Sequence, residues 1–250
     1  MNKPLVTTLQ HFYRTSAQPC PYVDGRVERK VITELAMQGS LDLYNDLSRA
    51  GFRRSHQLAY RPACPNCSAC TPVRIDVSGF TPTRSNRRLV QVNADLAVHH
   101  AEPIATIEQY RLFARYQQAR HGDSDMAGMS FGDFRAMIED SPVETLLVIL
   151  RDPTGRLVGI CLTDALDDGV SAVYSFFDPD ESKRSLGTWL VLQLIERVRR
   201  LGQRYVYLGY WIAGSRKMSY KTRFQPLEAL GPNGWALLEP ARPGRHVKII

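Results

Sequence analysis

The chain lacks any apolar run near the roughly 18 residues that a membrane-spanning helix needs, so integration into a bilayer is not expected. Its start also lacks the apolar segment and the small-residue cleavage site of an export signal. No internal repeat or low-complexity tract is visible. With 44% apolar and 23% charged residues among 250, the composition is that of a folded protein with ample core. A cytosolic location is therefore expected.

Cysteine is scarce, and its count of five is odd, so a disulfide framework is not favoured in a cytosolic chain. Three of the cysteines form a C-x2-C-x2-C motif and a fourth lies far upstream. Thiolates are the soft ligands of zinc and iron–sulfur clusters, so these four are candidate metal ligands, and separate thiols in a core are the alternative. The four are Cys20, Cys64, Cys67 and Cys70. Cys161 alternates within a strand pattern and is expected in the core.

Acidic residues are few in the first part of the chain. Residues 1–100 hold 13 Lys and Arg against 7 Asp and Glu, whereas residues 101–250 hold 19 against 18. Eleven of those 13 cations are Arg, which suits bidentate contacts with phosphates or carboxylates. The excess predicts an anionic partner, either nucleic acid or an acidic peptide, and a solvated basic surface is the alternative.

Residues 205–226 combine a β-rich start with a basic and aromatic loop. No acid lies between Glu196 and Glu228, and the cations alternate with bulky side chains. This pattern predicts a binding site for something long and anionic, and an exposed loop with a solvated basic face is the alternative. The cations are Arg216, Lys217, Lys221 and Arg223.

In residues 1–102 the residue patterns predict a small, cysteine-bearing N-terminal domain. The charge balance changes near residue 102, which predicts a boundary there and a second domain over 103–250. The predicted elements of the first domain are helices over 28–38, 41–50 and 83–92 and strands over 72–77 and 94–99. His99 and His100 are expected at a solvent-facing strand end.

In residues 103–250 the patterns predict two helices, a three-stranded antiparallel meander, a loop, a helix and a strand. Because the last strand follows a helical crossover, it is expected to lie parallel to the third strand of the meander. This order is typical of an acetyltransferase-like (GNAT) α/β domain, of class α+β, with a mixed and largely antiparallel sheet. The helices cover 104–121, 131–139 and 188–201, and the strands cover 144–151, 157–166, 170–177 and 205–209.

Two features near residue 180 are candidates for binding or catalysis. Arg184, Gly187 and Thr188 open a predicted helix, whose first turn can hold an anion, although an ordinary capped helix is the alternative. Acetyltransferases hold the pyrophosphate of coenzyme A at this turn, but Trp189 is expected to crowd it and to disfavour coenzyme A. Asp178 closes a central strand beside the turn, where open α/β sheets place ligands, and a turn role is the alternative.

Five ordered blocks resemble the bacterial aspartate/glutamate leucyltransferases, a branch of the arginyl-tRNA–protein transferase family. They are CPYVDGRVERK (20–30), GFRRSHQLAYRPACPNCSACTPVRI (51–75), TRSNRRLVQVNADL (83–96), YSFFDPDESKRSLGTWLVLQLIERV (174–198) and YLGYWIAGSRKMSYKTRFQPLE (207–228). The resemblance implies a cysteine-bearing domain before an acetyltransferase-like one. It also implies transfer of leucine from leucyl-tRNA to the α-amine of proteins that begin with Asp or Glu, which marks them for degradation by the N-end rule.

The resemblance also implies roles for the candidate residues. An aminoacyl-tRNA carries no pyrophosphate, which makes Trp189 acceptable, and its activated ester requires no cofactor. Asp178 would orient the amine or act as base, and Tyr220 with Lys221 would serve the leaving ribose oxygen. The 3′ end of the tRNA would be held by Arg184, Gly187, Arg216 and Lys217. The acidic acceptor would be read by a cation among Arg26, Arg53, Arg54 and Arg61.

A monomer is expected. Eukaryotic relatives arrange their cysteines in two close pairs, one of which this chain replaces with C-x2-C-x2-C, so their cluster chemistry does not transfer directly.

Two other functions are compatible with the sequence. A coenzyme-A-dependent N-acyltransferase would share the fold, and a non-catalytic, tRNA-binding metal protein would bind RNA with a steep salt dependence but transfer nothing.

Overall fold

The computed structural model describes residues 9–35, 40–122 and 124–238, and within this set it leaves out the side chain of Ser40. Among these residues, no helix is long and apolar enough to cross a membrane. Residues 36–38 of the predicted helix over 28–38 lie outside the described residues.

The described residues between 13 and 62 form two small antiparallel sheets and one helix. The elements are β1 (Tyr13–Arg14), β2 (Gln18–Pro19), β3 (Val27–Glu28), β4 (Lys30–Glu34), α1 (Ser40–Arg49), β5 (Arg53–Ser55) and β6 (Leu58–Pro62). One sheet pairs β2 with β3, and the other has the order β1-β4-β6-β5. The helix predicted over 28–38 is wrong, because Val31, Ile32 and Thr33 are β-branched and pair in β4 with β6.

A sheet of eight strands occupies the rest of the structure. The remaining elements are β7 (Thr71–Asp76), α2 (Arg84–Val92), β8 (Ala97–Ala101), α3 (Ile107–His121), α4 (Phe131–Glu139), β9 (Thr145–Arg151), β10 (Leu157–Leu166), β11 (Gly169–Phe177), α5 (Leu186–Arg200), β12 (Tyr205–Trp211), β13 (Leu227–Gly231) and β14 (Gly234–Leu237). The strand order is β14-β13-β7-β12-β11-β10-β9-β8. Of the described strand pairs, β11 with β12 is parallel and the others are antiparallel, which confirms the predicted meander and the predicted parallel strand.

The eight-stranded sheet takes strands from both sides of the predicted division between residues 102 and 103. Strand β7 pairs with β12 on one side and with β13 on the other. Strand β8 pairs with β9 at the opposite edge, where His99 and His100 are exposed as expected. The two predicted domains therefore share one sheet.

Helices cover both faces of this sheet. On one face α5 buries Leu190, Leu194 and Val198, which recur every four residues, against a core that includes Cys161. On the other face α3 and α4 pack around Phe113 and Phe134. The alternation of side chains along the strands supplies both cores. The expected core position of Cys161 is confirmed.

The parallel strands β11 and β12 pair over a short length and then separate. Their register joins Gly169 to Tyr205, Val170 to Val206 and Ser171 to Tyr207, and it ends there. Beyond this point both strands continue, so a gap opens between their carboxyl ends. Gly209 lies on the β12 side of the gap with φ +73°, at a register shift against β7.

Candidate active site

A cavity of about 430 Å³ opens beside the carboxyl end of β11. Helix α3 contributes a ring, a guanidinium and an imidazole to its lining, β11 contributes Ser175 and Phe177, and the segment after β12 contributes Lys217 and Tyr220. The three groups from α3 are Tyr116, Arg120 and His121. The cavity is therefore walled by aromatic rings and carries positive charge.

The first turn of α5 forms another wall, through Leu186, Gly187 and Thr188. The first N–H groups of a helix have no acceptor within the helix, and they lie at the positive end of its dipole. A Cβ at Gly187 would lie 2.9 Å from Cε1 of Phe177, so glycine is what allows the turn to approach this ring. The predicted anion-binding turn thus does face a cavity, with Gly187 in its wall.

Arg184, by contrast, is committed to structural contacts. Its guanidinium binds both carboxylate oxygens of Asp95, at 2.7 and 2.8 Å, and Oε2 of Glu181 at 3.1 Å. The hydrogen bond to Asp95 is the main cause that raises the pKa of Arg184. Arg184 does not line the cavity. Its placement supports the turn before α5 and gives no support to the predicted contact with a tRNA end.

Asp178 is buried beside the cavity and does not line it. One carboxylate oxygen accepts from Nη2 of Arg115 at 2.8 Å and from the Asp180 N–H at 3.1 Å. The other oxygen accepts from Nη1 of Arg156 at 2.5 Å. With both oxygens occupied, Asp178 fixes the turn after β11, which was the alternative to the predicted role as base.

Tyr220 and Lys221 are neighbours in sequence with different environments. Tyr220 lines the cavity, burial raises its pKa to about 12, and its hydroxyl has no hydrogen-bond partner among the described residues. Lys221 is 8% exposed, and its Nζ donates to the carbonyls of Leu208 and Tyr210 on the β12 side of the gap. Burial, and then the charge of Arg53, lower the pKa of Lys221 to about 7. Only Tyr220 faces the cavity.

Arg53 enters the same gap from β5. Its Nη2 donates to the carbonyls of Ala172 and Val173 on β11, at 2.6 and 3.0 Å. A Cβ at Gly209 would lie 1.8 Å from its Nη1, so the guanidinium rests on the bare backbone of that glycine. The N-terminal part of the chain therefore supplies a cation to the gap.

The other three arginines predicted to read an acidic acceptor make internal contacts. Arg54 is buried and forms a two-point ion pair with Asp164, at 2.8 and 2.7 Å. Both Arg54 and Asp164 are buried, so Arg54 is inaccessible to a ligand. The exposed Arg26 and Arg61 each donate to one backbone carbonyl, that of Asn66 and that of Ala50 respectively.

Among the lining residues that were not predicted, three come from helix α3. They lie at the end of α3, in a part of the sequence where no motif stood out, and the only signal was a basic last turn. The guanidinium of Arg120 lies 6.0 Å from the centroid of the Phe177 ring. Burial, and then Lys217 and Arg120, lower the pKa of His121. Tyr116 packs edge-on against Phe177, with ring centroids 5.0 Å apart.

Trp189 lies in the α5 core rather than at the cavity, with 6% of its surface exposed. The expectation that its indole would crowd the anion-binding turn was wrong, because a residue two positions further along the helix points to the sheet. Arg216 and Lys217 are both exposed after β12, and of the two only Lys217 lines the cavity.

The four N-terminal cysteines are partly buried and lie near one another. Burial, and then the neighbouring Cys64, Cys20 and Cys67, raise the pKa of Cys70 to about 11. The Sγ of Cys64 accepts from the Arg29 N–H at 3.4 Å. Within the part of the chain that the structure describes, no three His, Cys, Asp or Glu side chains are arranged to hold a metal. The thiols share a locale without forming a preformed metal site, so a metal there stays a prediction.

Comparison with known proteins identifies the class to which this fold and site belong. Sequence models described as "Arginine-tRNA-protein transferase" match this chain, the N-terminus model over residues 18–88 and the C-terminus model over residues 108–231. The chain belongs to this family of aminoacyl-tRNA–protein transferases.

Within the family, similar relatives carry a more specific name. The "Aspartate/glutamate leucyltransferase" of Paramagnetospirillum magneticum is 56% identical and covers 92% of this chain and 95% of that protein. The proteins of the same name from Gluconacetobacter diazotrophicus and Granulibacter bethesdensis are 53% and 51% identical, over 93% and 96% of this chain and 90% of each protein.

Two solved structures have a weak similarity to the chain. L-PGS from Bacillus licheniformis shares 12% identity at a TM-score of 0.43, over 75% of this chain and 56% of that chain. A GCN5-related glucosamine N-acetyltransferase region of a fungal β-N-acetylglucosaminidase shares 11% at 0.42, over 80% of this chain and 22% of that chain. The acetyltransferase-like assignment therefore stands on the strand order and the parallel pair of this chain.

Proposed function

We propose that the protein transfers leucine from leucyl-tRNA to the α-amine of proteins that begin with Asp or Glu. The observation that carries the proposal is the charge of the cavity. Within the described lining the one acid is Glu181, whose carboxylate is occupied by Arg156 at 2.6 Å and Arg184 at 3.1 Å. An arginyl side chain would find no free carboxylate, whereas a leucyl side chain can pack on the rings of Tyr116 and Phe177.

The chemistry is aminolysis of an ester that is already activated. An α-amine has a pKa of about 7.7–8.0, so a useful fraction is neutral near pH 7 and can attack the leucyl carbonyl. The amide bond forms, the bond to the ribose oxygen breaks, and the amine releases its proton to water. The first N–H groups of α5 belong to Leu186 and Gly187 in the cavity wall, and in this proposal they donate to the oxyanion.

In this proposal Tyr220 donates its proton to the leaving ribose oxygen and recovers one from water. A phenol whose pKa is raised to about 12 is fully protonated at neutral pH, and this hydroxyl has no competing partner in the described structure. Lys221 supports the same segment from behind by binding the carbonyls of Leu208 and Tyr210. Most of the rate enhancement then comes from positioning and from charge stabilisation.

Exposed cations in the cavity wall and just after β12 are proposed to serve the two anionic substrates. Arg216 and Lys217 are proposed to hold the phosphates of the tRNA 3′ end. Arg120 is proposed to recognise the acidic side chain of the acceptor, because it lies at the cavity and has no ion-pair partner among the described residues. This assignment replaces the four N-terminal arginines, which are engaged elsewhere.

The transfer is proposed to need no cofactor, since the ester supplies the driving force. A coenzyme-A-dependent acyltransferase is the less favoured reading, because Arg53 and Lys221 already bind the strand carbonyls that an extended arm in the gap would meet. We propose that the reaction takes place in the cytoplasm, where aminoacyl-tRNAs are found, and that the protein acts as a monomer.

One assay tests the proposal. The protein is incubated with labelled leucyl-tRNA and, separately, labelled arginyl-tRNA, using peptides that begin with Asp, Glu, Arg or Ala. Leucine is expected on the Asp and Glu peptides only. Transfer of arginine instead would overturn the donor assignment, and binding of tRNA without transfer would identify a non-catalytic RNA-binding protein.

Tyr220→Phe is expected to lower kcat at least tenfold with KM unchanged.

The acceptor assignment is tested by Arg120→Glu. This variant is expected to lose transfer to Asp- and Glu-starting peptides while it retains donor binding, because its new carboxylate repels the acceptor side chain. Arg61→Glu makes the same charge change away from the cavity and is the matched control. Unchanged acceptor preference in Arg120→Glu would place recognition elsewhere.

A further inference from the structure

Helix α2 presents basic side chains that neither the core nor the cavity uses. Its nine residues include three arginines and no acid, and Asn86 is its one buried residue. Arg87 donates to the carbonyl of Pro82 at the start of the helix, at 2.7 Å. The side chains of Arg84 and Arg88 are exposed, and within the described residues neither has a hydrogen-bond or ion-pair partner. Two unneutralised cations therefore project from this helix.

The end of α2 is attached to the rim of the cavity. Nη1 of Arg184 donates to the carbonyl of Val92 at 3.2 Å, and Nδ2 of Asn93 donates to the carbonyl of Arg184 at 3.0 Å. The next residue, Ser185, lines the cavity. Arg84 and Arg88 precede Val92 by eight and four residues, so along the helix axis they lie about 12 and 6 Å from this attachment point.

We propose that the exposed face of α2 binds the phosphate backbone of the double-stranded acceptor arm of the donor tRNA, while the 3′ end occupies the cavity. The inference rests on the proposed function and extends it to a second contact with the RNA. Arg84 and Arg88 are four residues apart and so share one face of the helix, where they can meet neighbouring phosphates.

The composition of α2 indicates a duplex rather than a single strand. Single-stranded nucleic acid is bound through base stacking on aromatic rings, and α2 has none. An RNA duplex hides its base faces and presents phosphates. Arginine side chains can bind these phosphates without help from aromatic rings. The rings of Tyr116, Phe177 and Tyr220 lie instead in the cavity, where the unpaired 3′ end would be.

The test compares two charge-reversal variants of equal net charge. Arg84→Glu/Arg88→Glu reverses the α2 cations. Arg111→Glu/Arg135→Glu reverses two exposed arginines of α3 and α4 that likewise have no partner among the described residues, and it controls for general electrostatic attraction. Each protein is assayed with leucyl-tRNA and with the leucyl ester of a single-stranded CCA trinucleotide, which has no duplex. Thermal unfolding confirms that both variants are folded.

The α2 variant is expected to raise KM for leucyl-tRNA at least tenfold with kcat unchanged, and to leave the trinucleotide reaction within twofold of wild type. In a plot of log KM against log salt concentration, the slope is expected to fall by the amount that about two phosphate contacts contribute. The control variant is expected to change KM less than threefold.

Other outcomes overturn the inference. Equal losses with both donors would mean that the substitutions disturb the cavity, and an unchanged KM for leucyl-tRNA would remove α2 from RNA binding. An increase in KM for the acceptor alone would identify an acidic protein as the partner of α2. If wild-type protein transfers no leucine, the proposed function fails, yet binding of uncharged tRNA measured by fluorescence anisotropy still tests α2. In that assay unchanged affinity of the α2 variant refutes the duplex contact.

Discussion

Arg53 and Lys221 lie close together in the gap between β11 and β12, and each is bound to the carbonyls of a different strand. Arg53 takes those of Ala172 and Val173, and Lys221 takes those of Leu208 and Tyr210. Burial, and then the like charge of Arg53, lower the pKa of Lys221 to about 7.

Wild-type stability is expected to rise with pH relative to the Lys221→Met variant between about pH 7 and 10.5. The pKa of Lys221 is about 7 in the folded protein, and that of a free lysine is 10.5. Within this window the unfolded chain holds a proton that the folded chain lacks, so raising the pH favours folding, at about 1.4 kcal/mol per pH unit. Urea unfolding at several pH values checks it. A pH-independent difference would show that Lys221 titrates normally.

Arg53→Gln is expected to raise the pKa of Lys221, because it removes a positive charge that disfavours the ammonium form. NMR titration of the lysine side chains, with the Lys221 signal assigned from a Lys221→Arg variant, measures this shift. Arg53→Lys keeps the charge, and it is expected to leave the pKa nearer the wild-type value. An identical pKa in all three proteins would attribute the depression to burial alone.

Asp178→Asn is expected to reduce the free energy of unfolding by about 1–3 kcal/mol, because it weakens charged hydrogen bonds to Arg115 and Arg156. Both arginines are about half exposed and can regain water, which limits the loss. The folded variant is expected to keep kcat within about threefold. Asp180→Asn is the control. Asp180 also pairs with Arg115, but its side chain is 82% exposed, so this variant should change the free energy of unfolding little. A tenfold fall in kcat with intact stability would restore Asp178 as a base.

Arg54→Met is expected to destabilise the fold by about 3–5 kcal/mol, because it strands the carboxylate of Asp164 in the core. Tyr44 and Thr145 would still donate to Asp164, but no positive charge would remain beside it. Denaturant unfolding measures the loss, and Arg61→Met, on the exposed surface, is the control. Acceptor preference measured on the folded variant is expected to stay the same. A stable variant with altered preference would make Arg54 a recognition residue.

Gly187→Ala is expected to raise KM for the leucyl donor several-fold and to destabilise by about 1–3 kcal/mol. The new Cβ meets Phe177 at 2.9 Å, so the ring must move and change the cavity wall. Gly132→Ala in α4, where the nearest atom is Oγ of Ser130 at 3.5 Å, is the matched control and should gain up to about 1 kcal/mol in helix propensity. A stabilised Gly187→Ala variant with normal KM would contradict the packing argument.

The sequence predicted most of the sheet and helices because those depend on local periodicity and on turns. The meander, α5 and the parallel strand β12 follow from such patterns. One exception is residues 30–34, which were predicted as helix although their β-branched run forms a strand. Strands β13 and β14 were not predicted at all. The position of β7 between β12 and β13 has no local signal, since it depends on which strand edges remain unpaired after the rest has formed.

The candidate site was only partly predictable for a related reason. Gly187, Lys217 and Tyr220, which the sequence singled out as candidates, do line the cavity. Gly187 lies in the first turn of α5, and the other two lie in the basic and aromatic segment after β12. Asp178 and Arg184 looked free because their partners, Arg115 and Asp95, are far away in sequence. The side chains from α3 came from a segment without any motif, so only the three-dimensional packing of α3 on β11 identifies them.

The position of β7 between β12 and β13 also determines when the eight-stranded sheet can be completed during synthesis. Its register joins Ile75 to Val206 and to Leu227, residues made much later on the ribosome. Until β12 and β13 have been synthesised, the backbone N–H and C=O groups on both edges of β7 have no strand to pair with and stay exposed in the nascent chain. Pairing so distant in the chain slows folding and invites association between incomplete chains. We therefore expect unfinished chains of this protein to benefit from protection during synthesis, for example by chaperones.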